Sequence, residues 1–137
     1  MPSEQFDIER LVRRRSAATF RREYNCNLRR LFPWPGMVET KRPVTELGCI
    51  WVVVDPDCTV DSHEHDEEEA FIVVSGRARI TVSGLETEIA AGDVAYIPRL
   101  ARHEIVNPSE VEPFVMIDLY WDNRESGQRE SGQSGML

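Results

Sequence analysis

Residues 63–76 read HEHDEEEAFIVVSG, and the fold turns on how this stretch is read. Its second half, residues 70–74, is apolar and β-branched and is closed by Ser75-Gly76, which predicts a strand. Its first half sets His63 and His65 two residues apart, with Glu69 four further on. In an extended chain the side chains at i and i+2 share a face, so the two imidazoles project together. The third and last histidine, His103, follows a Gly- and Pro-punctuated strand, and no histidine is left over. Imidazole is the commonest side-chain ligand for a transition metal, and one carboxylate completes a mixed N/O set. The residues point to one metal site inside an all-β domain.

Working outward, residues 48–54, GCIWVVV, form a β-branched run bounded by Asp55-Pro56-Asp57 and predict a buried strand. Residues 77–82 alternate, with Arg77, Arg79 and Thr81 on one face and Ala78, Ile80 and Val82 on the other. Ser83-Gly84 predicts a hairpin turn into residues 85–90, and Ala91-Gly92-Asp93 a second turn before 94–97. Residues 102–107 and 114–121 complete the set. Many short strands separated by turn signals predict a sandwich or barrel.

This barrel is expected over residues 37–123, between an N-terminal arm (1–36) and a tail (124–137). In the arm, Ser3 is placed to cap a helix beginning near Glu4. Ile8, Leu11, Val12, Phe20 and Tyr24 give that helix an intermittent apolar stripe. Phe32-Pro33-Trp34-Pro35-Gly36 ends the arm as a rigid connector. Arms of this kind pack on their own barrel or reach a second subunit, so a homodimer is expected. The tail repeats RESGQ and has no means of burying apolar surface, so disorder is expected there.

The net charge of -8 is unevenly spread: residues 1–30 hold eight arginines against four acids, and the remainder eight basic against twenty acidic residues. An acidic barrel argues against nucleic acid as its partner. No apolar run approaches the roughly 18–20 residues of a membrane span. The first residues lack the basic-then-apolar order of a secretory signal, and their acids argue against a mitochondrial presequence. Cys26, Cys49 and Cys58 are odd in number with no CxxC spacing, as expected of reduced, packed thiols in a cytoplasmic protein.

Taken together, residues 63–76 resemble the first motif of the cupin superfamily, HxH followed by three or four residues, Glu, six residues and Gly. His63, His65, Glu69 and Gly76 fall in its register. Residues 92–107, GDVAYIPRLARHEIVN, resemble the second motif through Gly92, Pro98, His103 and Asn107. Two turn positions depart from the pattern: Asp57 stands for the first motif's opening glycine, and Leu100 for the glycine after Pro98. The resemblance covers about residues 48–121. It implies a small jelly-roll-like barrel holding one divalent transition metal, Zn or Fe foremost and Mn, Ni or Co after them, through His63, His65, Glu69 and His103.

Around these ligands, strand parity puts Glu69, Phe71 and Val73 on one face. Glu67 is then turned inward as a candidate general base, while Glu64 and Glu68 face out. Tyr96 is a candidate pocket phenol. His103, Ile105 and Asn107 share a face, which places Asn107 to orient the neighbouring loop, and Arg79 is expected to point outward. Tyr120-Trp121-Asp122 closes the last strand at the mouth of the barrel.

Cupins host many chemistries, so the expectation is a metal-dependent enzyme acting on a small polar metabolite in biosynthesis. The alternatives are an Fe(II)-dependent dioxygenase and a non-catalytic metabolite-binding cupin. A finer resemblance links the Trp51 strand, HDEEEAFIV, GDVAYIPRLARHEIVN and LYWD to the cupin domains of hydrazine synthetases. There a metal-binding cupin accompanies a methionyl-tRNA-synthetase-like partner and rearranges an N-hydroxylated amine ester into an N–N bond. The resemblance implies a separate synthetase-like partner protein for this chain.

Overall fold

A computed structural model describes residues 7–14, 19–40 and 47–122. Its strands are β1 (Arg21–Glu23), β2 (Cys26–Phe32), β3 (Leu47–Val54), β4 (Thr59–His63) and β5 (Glu68–Ser75). They continue with β6 (Arg77–Val82), β7 (Leu85–Ala90), β8 (Val94–Ile97), β9 (His103–Val106) and β10 (Phe114–Trp121). They build a six-stranded sheet in the order β1-β2-β3-β10-β5-β8 and a four-stranded sheet in the order β4-β9-β6-β7, with antiparallel pairing throughout. Among the described residues no helix is long and apolar enough to cross a membrane.

The expected helical arm is corrected by this topology. Residues 8–11 form a single 3-10 turn with no buried side chain, and residues 21–32 are a hairpin that adds β1 and β2 to the larger sheet. The proposed start of the helix at Ser3 and Glu4 lies outside the described residues, as does the tail from residue 124. Tyr24 and Asn25 both take positive φ, 52° and 61°, which gives the two-residue turn a twist suited to a hairpin. Cys26 and Leu28 then alternate inward and are fully buried, a period of two rather than 3.6.

The core lies between the sheets. The large sheet contributes Ile50, Val52 and Val54 from β3, Phe71 and Val73 from β5, and Phe114 and Met116 from β10. The small sheet contributes Ala78, Ile80 and Ile105. Asn107, 1% exposed, ties the sheet ends together: its side-chain amide donates to the carbonyls of Val54, Asp55 and Glu112, and its Oδ1 accepts from the Ser109 N–H.

The outer faces of the two sheets differ. The small sheet presents the cross-strand ion pairs Arg77–Glu88 at 3.2 Å and Arg79–Glu86 at 2.8 Å, as a solvent-facing sheet should. On the large sheet, one register row reads Trp51, Ile117, Ile72 and Val94, and none of the four is polar.

Both turn positions that depart from the resembled motifs adopt the left-handed backbone that glycine would favour, with φ 59° at Asp57 and 64° at Leu100. A leucine there costs about 1 kcal/mol, and glycine's looser unfolded chain takes back part of what its substitution gains. Leu100→Gly is therefore expected to raise stability by up to about 1 kcal/mol, seen as a thermal midpoint a few degrees higher. Gly76→Ala should do the reverse, since its φ is 83° and a Cβ would lie 2.6 Å from the Pro113 carbonyl oxygen.

Candidate metal centre

The site bridges the two sheets. The β4–β9 register pairs His63 directly with His103, on two strands of the small sheet. Glu69 points inward from β5 of the large sheet and is fully buried, and His65 hangs from the short segment between β4 and β5. The ring centroids of His63 and His103 are 4.4 Å apart, and those of His63 and His65 5.6 Å. One ligating nitrogen from each histidine lies within 4.8 Å of the other two. His65 Nε2 is 2.9 Å and His103 Nε2 3.4 Å from the same oxygen, Glu69 Oε1. The four residues expected as ligands thus converge on one point.

Main-chain contacts decide which nitrogens face it. Nδ1 of His63 is 2.6 Å from the Asp61 carbonyl and Nδ1 of His103 is 2.9 Å from that of Ala101. Each Nδ1 therefore carries the proton and donates it, leaving the Nε2 lone pair directed inward. Tyr24 stacks on His63 with centroids 4.6 Å apart. The loop carrying His65 is pinned from the second motif, where the Leu100 N–H donates to the His65 carbonyl at 2.9 Å, Arg99 pairs with Asp66, and Arg102 with Glu64 at 3.4 Å.

Electrostatics fit a cation. Burial pushes the His103 imidazolium down to about 4 and lowers that of His63, so both rings are neutral ligands near pH 7. Burial lifts the Glu69 carboxyl to about 7, with repulsion from Glu67 adding to it and the neighbouring Asp118 carboxyl working against it. His63 Nε2, His103 Nε2 and both Glu69 oxygens are buried without a conventional hydrogen-bond partner among the described residues. Such groups cost several kcal/mol unless something satisfies them, and a divalent ion does so with four N/O bonds. The donor set therefore fits a metal ion, which His63, His65 and His103 could hold with Glu69 beside them to complete the set.

The remaining site residues divide. Glu67 turns inward and is 1% exposed, with Oε1 3.6 Å from His65 Nδ1, behind that ring. Tyr96 lies on the outer face instead of in the pocket: it is 54% exposed, hydrogen-bonds Glu68 and stacks with Trp121 at 6.4 Å. Parity is the reason, because Ile97 beside it is the inward residue of β8.

Asp118 was missed by the motifs. It is 0% exposed on the inner face of β10, with both oxygens lacking a conventional donor. Its carboxyl is pushed well above the usual range, first by burial and then by the Glu69 carboxylate beside it. Its parity with Phe114 and Met116 was the available signal. Tyr24 was hidden by the helical reading of its segment.

A two-sheet antiparallel sandwich with three histidines and an acid converging between the sheets is the architecture of a metal-binding β-barrel. Residues 50–120 match the model of the cupin domain family, and the chain belongs to that family. It is 32% identical to a cupin 2 conserved barrel domain protein from Salinispora arenicola, over 89% of each chain with a TM-score of 0.64. It also resembles the plu4264 protein of Photorhabdus luminescens, at 26% identity over 91% of this chain and 89% of that one, with a TM-score of 0.66. An uncharacterised protein of Streptomyces coelicolor is 43% identical over 53 residues, a match spanning 38% of this chain and half the length of that relative.

Proposed function

We propose that this chain is a metal-dependent cupin enzyme acting on a small polar metabolite. The observation that carries the reading is the surplus of buried acid at the centre. Beyond the ligand Glu69, both Glu67 and Asp118 are closed from solvent beside the imidazoles, at 1% and 0% exposure. A site that only stores or displays an ion has no need of two further buried carboxyls, which are costly to keep. A divalent ion held there supplies a Lewis acid for a bound substrate oxygen or nitrogen. Glu67, closed from solvent with Oε1 3.6 Å from His65 Nδ1, is the candidate base for a substrate proton. The N–N bond-forming version of this reading rests on the finer resemblance alone and adds a separate synthetase-like protein as the source of the activated substrate.

The test is a small-metabolite panel, including N-hydroxylated amine esters, run with metal-loaded chain and with Glu67→Gln. The variant is expected to keep its metal and lose turnover by about 100-fold or more, the usual contribution of a positioned acid–base group. Turnover that survives intact in Glu67→Gln removes its role as base. Saturable binding with no turnover across the panel replaces the enzyme by a metabolite-binding protein.

A further inference from the structure

We infer that Arg30 is a substrate-binding residue that takes an oxyanion of the substrate, a carboxylate or a phosphate, beside the metal centre. The inference deepens the proposed function and rests on it. Residues paired across a β-ladder share a face, so the register fixes where Arg30 stands. Arg30 pairs with Ile50, which pairs in turn with Asp118, and both of these are fully buried. Arg30 is therefore on the inner face of the larger sheet, in the row next to the one that carries Glu69. Glu23 shares that face, since it pairs with the buried Cys26, and its Oε2 accepts from Arg30 Nη1 at 3.0 Å. Tyr24 follows, with its ring against the ligand His63. The hairpin is fastened to β4, where the Tyr24 carbonyl accepts from the Asp61 N–H at 3.3 Å and the Asn25 amide donates to the Thr59 carbonyl at 2.9 Å. One hairpin thus brings a phenol to a metal ligand and a guanidinium to the same inner face.

The guanidinium is not spent on the buried acids. Asp118 lies two strands away in the same row, about 10 Å between backbones, yet neither of its oxygens has a conventional hydrogen-bond partner. Arg30 turns to Glu23 instead, and the two side chains are 32% and 20% exposed, so this pair reaches water where Asp118 and Glu69 do not. Burial raises both Tyr24 and Asp118, and the charge of Arg30 works against it at each, so that charge is felt on both sides of the site. In the next row Tyr120 pairs with Gly48 on one side and Glu69 on the other. Its ring and hydroxyl fill the space that a Cβ at Gly48 would take, so the side chain leans toward β3 and away from Glu69. With a cation at the metal point and a second at Arg30, the ligand that fits is an anion. A guanidinium presents five N–H donors in a planar fork that matches carboxylate and phosphate oxygens, which makes an oxyanion the class it selects.

The test is NMR of the full chain loaded with zinc, following the Arg30 Nε–H signal as succinate, inorganic phosphate or uncharged succinamide is added. Succinate or phosphate should shift that signal saturably, and succinamide should leave it in place. Tighter binding of phosphate assigns the oxyanion to a phosphate ester, and tighter binding of succinate assigns it to a carboxylate. Arg30→Gln should weaken the better anion, read by calorimetry, by about ten- to a hundredfold, the worth of a hydrogen bond to a charged group. Glu23→Gln should keep that affinity or raise it by up to about fivefold, because a competing carboxylate is gone. An ion pair that only fastens the hairpin predicts equal weakening in the two variants. If Arg30→Gln does not fold, the Arg30 signal of the unaltered chain decides. No shift with either anion, an equal response to succinamide, or equal loss in the two variants overturns the inference. A chain that retains no zinc fails the metal-dependent reading, and the same titration on that metal-free chain still decides Arg30.

Discussion

His103→Ala is expected to purify with less than about a tenth of an equivalent of metal, where the unaltered chain holds about one. Structural zinc sites bind with about 10–16 kcal/mol over four ligands, so one ligand is worth about 2.5–4 kcal/mol, on the order of a hundred- to a thousand-fold in affinity. His103 is the ligand whose loss is cleanest to read. It is 3% exposed, and its partner across the strand pair, His63, is held independently by the Asp61 carbonyl. Elemental analysis of protein purified without chelator gives the answer. Arg79→Ala, on the outer face of the small sheet, serves as the control that retains metal. Full occupancy in His103→Ala would remove the four-residue centre as the binding site. Near-stoichiometric iron in the unaltered chain, with oxygen uptake coupled to substrate loss, would turn the proposed chemistry toward a dioxygenase.

The second large effect is on pH. In a site of three ordinary imidazoles, acid weakens metal binding by protonating the rings. Here burial has already taken two of the three out of that range, with His103 near 4 and His63 also lowered. The proton that competes with the metal sits on the acid pair, since Glu69 is held near 7 and Asp118 is raised beside it. Metal affinity should therefore climb about tenfold per pH unit below 7 and flatten above it. Calorimetry in buffers of different ionisation enthalpy should show about one proton released per metal bound at pH 6 and almost none well above 7. Glu69→Gln should abolish the release. Proton release that persists in that variant would assign it to the rings instead.

The same shifts act on the metal-free fold with opposite signs. The folded chain holds the Glu69 proton more tightly than its ordinary value of 4.5, so this contribution to stability is present below 4.5 and is lost as pH rises through 7. His103 is neutral in the fold while the unfolded ring titrates near 6.5, so its contribution is lost as pH falls from 6.5 through 4. Metal offsets the loss on the alkaline side.

Much of this was legible from residues. Alternation in residues 77–82 is borne out by burial of Ala78 and Ile80 against exposure of Arg77 and Arg79. Ser83-Gly84 is a hairpin turn with φ of 49° and 82°. The ligand spacing works for a reason partly its own: His63 ends β4 while His65 lies beyond it, so a bend of the chain, not strand parity alone, brings the rings together. What failed was local. RREYNCNLRR carries arginines on a spacing that suits a solvated helix face, and Tyr-Asn is a weak hairpin signal beside Asn-Gly. Only pairing with β3, a contact far along the chain, selects the strand. Tyr96 and Asp118 were each misjudged or missed by one residue of parity, which the burial of Ile97 and Met116 settles.

The two imidazoles gripped by main-chain carbonyls carry a further consequence. Asp61 and Ala101 hold His63 and His103 through their backbone oxygens, so the identity of the side chain at 61 or 101 is irrelevant to the grip. Ring pose is inherited from the course of the chain. Tyr24, which stacks on His63, can then be exchanged while both carbonyl contacts to the rings remain. A scaffold wired in this way can change its clientele by point mutation while its inorganic core stays as it was.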